Sequence, residues 1–203
     1  MGRYASDTGG GDFTPAPAGT HIAICVGITD LGTHHGEYKG EPNVRNQVLV
    51  TWELPDESFD TPDGPKPYIA SKFYTNSLSE KANLRADLIA WRGRDFTSEE
   101  LRKFDLQAIL GKPCMINIVH EESGGKTRAK VKAVMAVAKG TKVEPPVNTP
   151  RAFWIDVDNW DAEGFEALPK GIKSLIEKSD EWRSLHDPSF GKKARAMETA
   201  GGG

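Results

Sequence analysis

Four basic residues stand at every second position in one stretch of the chain, and no other pattern in the sequence points so directly to chemistry. They are Lys126, Arg128, Lys130 and Lys132. Alternate residues of a β-strand point to the same face, so the pattern predicts a strand with one cationic face. Like charges on neighbouring sites repel, and a nucleic-acid backbone lying along the row would relieve that repulsion. The alternative is an edge strand whose solvated lysines discourage aggregation between strands.

A second candidate row combines aromatic rings with a base. Tyr68, Lys72 and Tyr74 alternate along a predicted strand and therefore share one face. We expect Ile69 and Phe73, on the opposite face, to lie in the core. Proteins that bind single strands stack bases on aromatic rings and place cations beside them for the phosphates. Surface tyrosines that pack on a neighbouring loop would produce the same pattern.

Three more side chains extend this candidate site. Trp52 lies on a predicted strand and offers another ring for stacking, whereas Arg92 and Arg94 stand at the end of a predicted helix. We expect Trp91, beside these arginines, to be a core residue. The predicted nucleic-acid site therefore consists of Lys126, Arg128, Lys130, Lys132, Lys72, Tyr74, Tyr68, Trp52, Arg92 and Arg94.

Acidic and aromatic residues alternate over residues 153–168, after a Pro-rich stretch. Interleaved rings and carboxylates favour a docking segment for a protein partner, and the candidate residues are Trp154, Asp156, Asp158, Trp160 and Phe165. The carboxylates of Asp156, Asp158 and Asp161 also allow a third interpretation, a magnesium-dependent nuclease.

Enzyme motifs are weak throughout the chain. The sequence contains neither a phosphate-binding P-loop nor a dinucleotide-binding glycine motif, and segment 124–127 is interpreted as a hairpin turn. The pair His34-His35 lacks further ligands at metal-binding spacing, and the distant Cys25 and Cys114 do not suggest zinc. We expect both thiols to be small core residues in a reducing compartment. The expected protein is non-enzymatic, without a cofactor or a metal.

The formal net charge of −3 hides an uneven distribution. Residues 1–65 carry three bases and ten acids, and residues 144–203 carry eight bases and eleven acids. Residues 66–103 carry eight bases and five acids, and residues 112–142 carry seven bases and two acids. The middle of the chain is therefore basic between two acidic ends, which favours an anionic ligand there.

The periodicity of apolar residues places these groups on a mainly β fold. Strands are predicted at His21–Leu31, Gln47–Leu54, Tyr68–Thr75, Pro113–Glu121 and Lys126–Val137, with a polar stretch over 32–46 and a Pro-rich loop over 55–67. One helix capped by Ser79 and ended by Gly93, and a shorter one capped by Thr97, lie between strands three and four. This order is that of the five-stranded Greek-key OB barrel, a β-barrel with helices. A C-terminal helical extension is predicted over 171–185.

Composition divides the chain into four parts. These are a flexible lead-in over 1–19, an OB-fold domain over 20–142, a Pro-rich linker over 143–152, and a segment over 153–203 with the acidic-aromatic residues, the helix and a flexible tail. The N-terminus has no apolar signal-peptide core, and no apolar run approaches the roughly 18 residues of a membrane span. We expect a soluble, intracellular protein.

A series of short motifs extends over about residues 14–168. They are Pro15-Ala16-Pro17-Ala18-Gly19-Thr20-His21, Val50-Thr51-Trp52-Glu53-Leu54-Pro55, Ser71-Lys72-Phe73-Tyr74-Thr75, Leu88-Ile89-Ala90-Trp91-Arg92-Gly93-Arg94, Phe104-Asp105-Leu106, Leu110-Gly111-Lys112-Pro113-Cys114, Asn117-Ile118-Val119-His120 and the segment from Phe153 to Trp160. In these motifs the chain resembles a family of single-stranded DNA-binding proteins of tailed bacteriophages and prophages. The resemblance implies an OB-fold accessory protein of phage DNA replication or recombination. Many single-stranded DNA-binding proteins end in an acidic tail, whereas this chain ends in Ala200-Gly201-Gly202-Gly203, so segment 153–168 is the better candidate for recruiting partners.

The leading hypothesis is a phage protein that binds single-stranded DNA with little sequence preference. It would act in the host cell cytoplasm, with replication or recombination proteins as further partners, and the sequence is compatible with a homo-oligomer. The alternative is a protein-interaction module whose OB-like barrel docks on a host or phage enzyme through the acidic-aromatic segment.

Overall fold

The computed structural model describes residues 14–187 and 189–190, and this part of the chain is mainly β. Its strands are β1 (Gly19–Tyr38), β2 (Glu41–Phe59), β3 (Lys66–Thr75), β4 (Pro113–Ser123), β5 (Lys126–Met135) and β6 (Arg151–Phe153). Its helices are α1 (Asn83–Arg92), α2 (Ser98–Arg102), α3 (Ala162–Glu166), α4 (Lys170–Ile176) and α5 (Asp180–His186), with a 3₁₀ turn at Leu106–Ile109. None of these helices combines the length and apolar composition that a membrane span needs. The start of the predicted lead-in and the predicted tail after 190 lie outside the described residues.

The strands form one antiparallel sheet, which confirms the predicted mainly β class. Its order is β3-β2-β1-β4-β5, and the short β6 pairs with β1. Backbone pairing does not close this sheet, because β3 and β5 stand at the two ends of the order. The sequence did not reveal β6, since three residues are too few to show a period.

The hairpin of β1 and β2 is much longer than predicted. The predicted strands end at Leu31 and begin again at Gln47, with a polar stretch over 32–46 between them, but β1 continues to Tyr38 and β2 begins at Glu41. Lys39 and Gly40 have φ angles of 55° and 84°, which is the conformation of a two-residue type I′ turn. The predicted strand ends were wrong because polar residues occupy both faces here, so no alternation marks the strands. The predicted loop over 55–67 is likewise shortened, since β2 ends only at Phe59.

The described residues divide into two compact units. The first contains residues 14–29 and Val48–Ala152, and the second contains Asp30–Gln47 together with the residues from Phe153 onward. The long strands β1 and β2 therefore contribute residues to both units. The sequence pattern did not suggest that the hairpin end belongs with the C-terminal segment.

The core of the first unit lies between the sheet and α1. Trp52 of β2 and Trp91 of α1 are almost fully buried, with ring centroids 6.1 Å apart. The indole Nε1 of Trp91 donates to the carbonyl of Pro113 at 2.8 Å, so α1 is also bonded to the start of β4. Cys25 and Cys114 are free thiols in this core, as the sequence predicted, and burial raises the pKa of Cys25 to about 12.

Both helix ends that were predicted from glycine and threonine are confirmed. Gly93 has a φ of 68° and its N–H donates to the carbonyl of Ile89, which ends α1 in a left-handed cap. Thr97 and Glu100 form a reciprocal capping box at the start of α2. Ser79 does not cap α1, because the helix begins at Asn83 after a turn closed by the bond from the Ala82 N–H to the Ser79 carbonyl.

The predicted Pro-rich linker is bonded to the sheet through one carboxylate. Glu53 of β2 is fully buried, and it accepts hydrogen bonds from the backbone N–H groups of Val147 at 2.6 Å and Asn148 at 2.8 Å. The side-chain amide of Asn148 adds a third bond at 2.6 Å. Because these donors surround the carboxylate, its burial is compensated, and this part of the linker is held against β2.

Aromatic rings form the centre of the second unit. Phe165 of α3 lies 4.8 Å from Trp182 of α5, and Trp160 lies 5.5 Å from Trp182, measured between centroids. Trp182 also stacks on His186 at 4.0 Å. The helix predicted over 171–185 is in fact two helices, since α4 ends at Ile176 and Ser179 caps α5 by accepting the Trp182 N–H.

The start of α5 is attached to β1 by two acidic side chains. Glu181 accepts hydrogen bonds from the Thr33 backbone N–H at 2.6 Å and from the Thr33 hydroxyl at 2.7 Å. Asp180 pairs with His35 at 2.5 Å. Gly32 permits this approach, because it has a φ of 76° and a Cβ there would lie 2.6 Å from the Ser179 Cβ.

Substituting Glu53→Gln should lower the free energy of unfolding by about 2–3 kcal/mol, because a neutral amide loses charge-assisted bonds and its NH2 group opposes at least one of the present donors. Urea denaturation followed by tryptophan fluorescence measures the change. Asp56→Asn, at an exposed position of the same strand, is the matched control and should change stability little. Equal stability of the two variants would contradict the anchoring role of Glu53.

Substituting Gly32→Ala should destabilise the second unit by about 1–3 kcal/mol, because the added methyl overlaps Ser179 and Glu181 and the φ angle is unfavourable. Hydrogen exchange of the α5 amides reports the loss locally. The control is Gly36→Ala, at a position where a Cβ meets no atom within 4 Å. Similar α5 protection in both variants would show that the close approach is unimportant.

Candidate nucleic-acid interface

The predicted basic row lies on the hairpin of β4 and β5. Gly124 and Gly125 have φ angles of 60° and 72°, so a two-residue turn connects the strands, as the sequence predicted. Ser123 then pairs with Lys126, and Glu121 stands opposite Arg128. Lys126, Arg128, Lys130 and Lys132 are all exposed, whereas Val131 and Val134 are buried.

A β-bulge interrupts the hairpin at the last of these bases. Ile118 pairs with Val131 and Asn117 pairs with Ala133, so Lys132 has no residue opposite it. Its carbonyl accepts a hydrogen bond from the Lys72 ammonium of β3 at 3.2 Å. The bulge therefore places a backbone acceptor of β5 within reach of β3.

The four bases of the row differ in their ion pairing. The ammonium groups of Lys130 and Lys132 both contact Glu121, at 2.6 Å and 2.5 Å. Their bonds lower the pKa of Glu121 from 4.5 to about 2, so this carboxylate is ionised at neutral pH. Within the described residues, Lys126 and Arg128 make no ion pair. The uncompensated positive charge of the row therefore lies near the turn.

The faces of β3 are reversed relative to the prediction. Tyr68 and Tyr74 are 9% and 4% exposed, whereas Phe73, expected in the core, is 54% exposed. The Tyr74 hydroxyl donates to Asp87 of α1 at 2.6 Å, and Lys72 pairs with the same carboxylate at 2.7 Å. Burial and the Asp87 charge raise the pKa of Tyr74. Both rows of β3 contain aromatic and polar residues, so periodicity could not decide which one faces inward.

The other members of the predicted site are enclosed or paired. Trp52 is 1% exposed and presents no ring to solvent. Arg92 lies over the ring of Phe96 at 4.3 Å and pairs with Glu100. Arg94 pairs with the same carboxylate at 2.7 Å, and these bonds lower the pKa of Glu100 to about 2. The two arginines thus form a cluster with Glu100 instead of a free extension of the basic row.

The candidate docking segment separates into buried rings and exposed acids. Phe165 is buried, and Trp160 packs against it with centroids 5.1 Å apart, while Trp154 is partly buried. Asp156 and Asp158 are exposed, and Asp156 accepts the backbone N–H of Asp158 at 3.0 Å. The carboxylates, and not the rings, are therefore the groups that this segment presents to solvent.

Metal ligation receives no support from the described part of the chain, which holds no group of three or more His, Cys, Asp and Glu side chains that could bind an ion. His34 bonds to the carbonyl of Leu31 at 2.8 Å, and His35 is paired with Asp180. Asp161 caps α3 by accepting the N–H of Gly164 at 2.8 Å.

Sequence reasoning missed two residues of this surface. Phe73 was assigned to the core face of β3. No local pattern could have shown its exposure, because the contacts that turn Tyr74 inward come from Asp87 of α1, on another element. Glu121 could have been found: a two-residue turn at 124–125 places it opposite Arg128, on the face of the basic row.

No known protein-family model matches this sequence, and a search of curated proteins finds no significant similarity. The assignment of a function therefore depends on the chemistry of the surfaces described above.

Proposed function

We propose that this chain is a single-stranded DNA-binding protein of a phage, which binds with little sequence preference and serves DNA replication or recombination. It has no catalytic role in this proposal, and it acts in the host cell cytoplasm. The observation that carries the proposal is the row of four exposed bases on β5. Such a row fits the phosphate spacing of an extended strand better than it fits a compact anion.

Two features of the row favour a nucleic-acid ligand over a merely solvated edge. Lys126 and Arg128 stand beside the two-residue turn and have no ion-pair partner among the described residues. Only two acids, Glu121 and Glu122, accompany the bases on this hairpin. The uncompensated charge is thus concentrated at one end, where phosphates of a passing strand would first meet it.

The exposed ring of Phe73 supplies the stacking surface that Tyr68, Tyr74 and Trp52 do not offer. It projects from the outer face of β3, next to Lys72 in sequence. The Lys72 ammonium bonds to the carbonyl of Lys132, so β3 and β5 approach each other at that point. A strand that stacks one base on Phe73 could therefore pass toward the cations of β5.

The proximity of β3 and β5 also supports an OB-type barrel. In that fold the third and fifth strands lie next to each other and close the barrel, and the helix that follows the third strand packs across this junction. Here α1 follows β3, and its Asp87 holds Lys72 and Tyr74 while Lys72 reaches β5. We therefore propose a five-stranded OB barrel formed by β1 to β5.

A second candidate function is a protein-interaction module. Asp156 and Asp158 are exposed and flank Val157, which is 40% exposed although it is apolar. An apolar side chain between two carboxylates fits a basic partner surface with a small apolar pocket. This function predicts partner capture that is lost when Val157 and both acids are replaced, together with no oligonucleotide binding by the intact chain.

Replacing Lys126 and Arg128 by Gln should weaken binding of labelled oligo-dT and reduce the salt slope of log K by about 1.4, since each neutralised phosphate contributes about 0.7 for single strands. Fluorescence anisotropy at several salt concentrations measures both quantities. The matched control replaces the exposed residues Lys139 and Lys142 by Gln, which removes the same formal charge. If both double variants behave alike, the hairpin is not the binding site.

Replacing Phe73 by Ala should weaken oligo-dT binding by about 1–3 kcal/mol, the usual contribution of one base stacked on an aromatic ring. The salt slope should stay unchanged, because no charge is removed. Phe73→Trp should retain the affinity, and Val44→Ala, at another exposed apolar position, should have no effect. Full affinity in Phe73→Ala would exclude this ring from the interface.

A further inference from the structure

One carboxylate holds half of the basic row in the unbound protein. The two carboxylate oxygens of Glu121 are bound separately, Oε2 by Lys130 at 2.6 Å and Oε1 by Lys132 at 2.5 Å. The side chains are 34%, 55% and 53% exposed, so solvent and solutes reach all three. Lys130 and Lys132 are therefore arranged as a pair that binds one anion through two of its oxygens.

That arrangement matches the chemistry of a phosphodiester. A phosphodiester group presents two non-bridging oxygens that share one negative charge, as a carboxylate does, and both are good acceptors for ammonium groups. The Glu121 bonds are accessible to solvent, so they are surface ion pairs, which contribute little to stability and are readily exchanged. A phosphate brought to the hairpin by Lys126 and Arg128 could thus replace the carboxylate without any change in the strands.

We propose that Glu121 is an internal competitor of DNA phosphate, which occupies the Lys130–Lys132 pair in the free protein and is displaced when a single strand binds. The proposal rests on the proposed DNA-binding function and adds the regulation of that site. Glu121 sets the affinity below the value that four free cations would give. It keeps this effect at every working pH, because its pKa of about 2 leaves it ionised.

The opposite strand supplies a matched control. Glu122 is the next residue of β4, is also exposed, and accepts a hydrogen bond from the Thr127 hydroxyl at 2.5 Å. Neighbouring residues of a strand point to opposite faces, so Glu122 lies away from Lys130 and Lys132. Glu121→Gln and Glu122→Gln therefore change the net charge equally, and only the first releases the lysine pair.

The test measures oligo-dT binding by the full chain, Glu121→Gln and Glu122→Gln across several salt concentrations. Glu121→Gln should bind about five- to tenfold more tightly at about 50 mM salt, with a salt slope steeper by about 0.7, as for one additional phosphate contact. Glu122→Gln should change the affinity less than about twofold, since it frees no cation. In a chain with Lys130→Gln and Lys132→Gln, the Glu121→Gln substitution should lose its advantage over Glu122→Gln.

The outcomes separate this inference from the proposed function. If the unaltered chain binds oligo-dT and the two glutamine variants bind equally, Glu121 is no competitor, while the DNA-binding function stands. If neither the unaltered chain nor Glu121→Gln binds, both are wrong. Binding by Glu121→Gln alone would support the inference in its strongest form, with the carboxylate blocking the site.

Discussion

The carboxylate of Asp87 determines how the first unit is assembled. It accepts hydrogen bonds from Tyr74 and Lys72 of β3, and Lys72 continues to the Lys132 carbonyl of β5. A hydroxyl or ammonium group that turns toward the interior needs a hydrogen-bond partner, and the Asp87 carboxylate is that partner for both Tyr74 and Lys72. The row of β3 that contains them can therefore face inward. The opposite row is then turned to solvent, which is why Phe73 is exposed. The two ends of the strand order approach each other through the same contacts.

Carboxylates also decide which positive charges remain available. Of the cations that the sequence indicated, Lys72 is held by Asp87, two arginines by Glu100 and two lysines by Glu121. A count of bases along the chain therefore overstates the charge that a ligand would meet. Because surface pairs of this kind exchange easily, they adjust the strength of an electrostatic site without removing it. The partly buried pair at Asp87 is different, since it joins β3 to α1 while Lys72 also reaches β5.

Local sequence patterns were enough to predict much of the fold but less of the candidate site. The alternation of β4 and of β5 up to its bulge, the glycine turn between them, the Gly93 cap and the Thr97 capping box follow from residues close in sequence, and all were predictable. The outer part of the β1–β2 hairpin, over residues 32–46, was missed because polar residues cover both of its faces. The inward row of β3 was missed because it depends on Asp87, which lies 13 residues from Tyr74 and on another element. Contacts of that kind leave no period in the sequence.

The two buried thiols have a practical consequence for future labelling. Cys25 and Cys114 are the only cysteines of the chain, both are fully enclosed, and burial raises the pKa of each well above that of a solvent-exposed thiol. Maleimides and oxidants react with the thiolate, which is scarce at these positions near neutral pH. A cysteine introduced at an exposed site such as Ser123, next to the turn of the basic hairpin, would then be the one fast-reacting thiol of the protein. A dye could be attached there without first deleting the native residues.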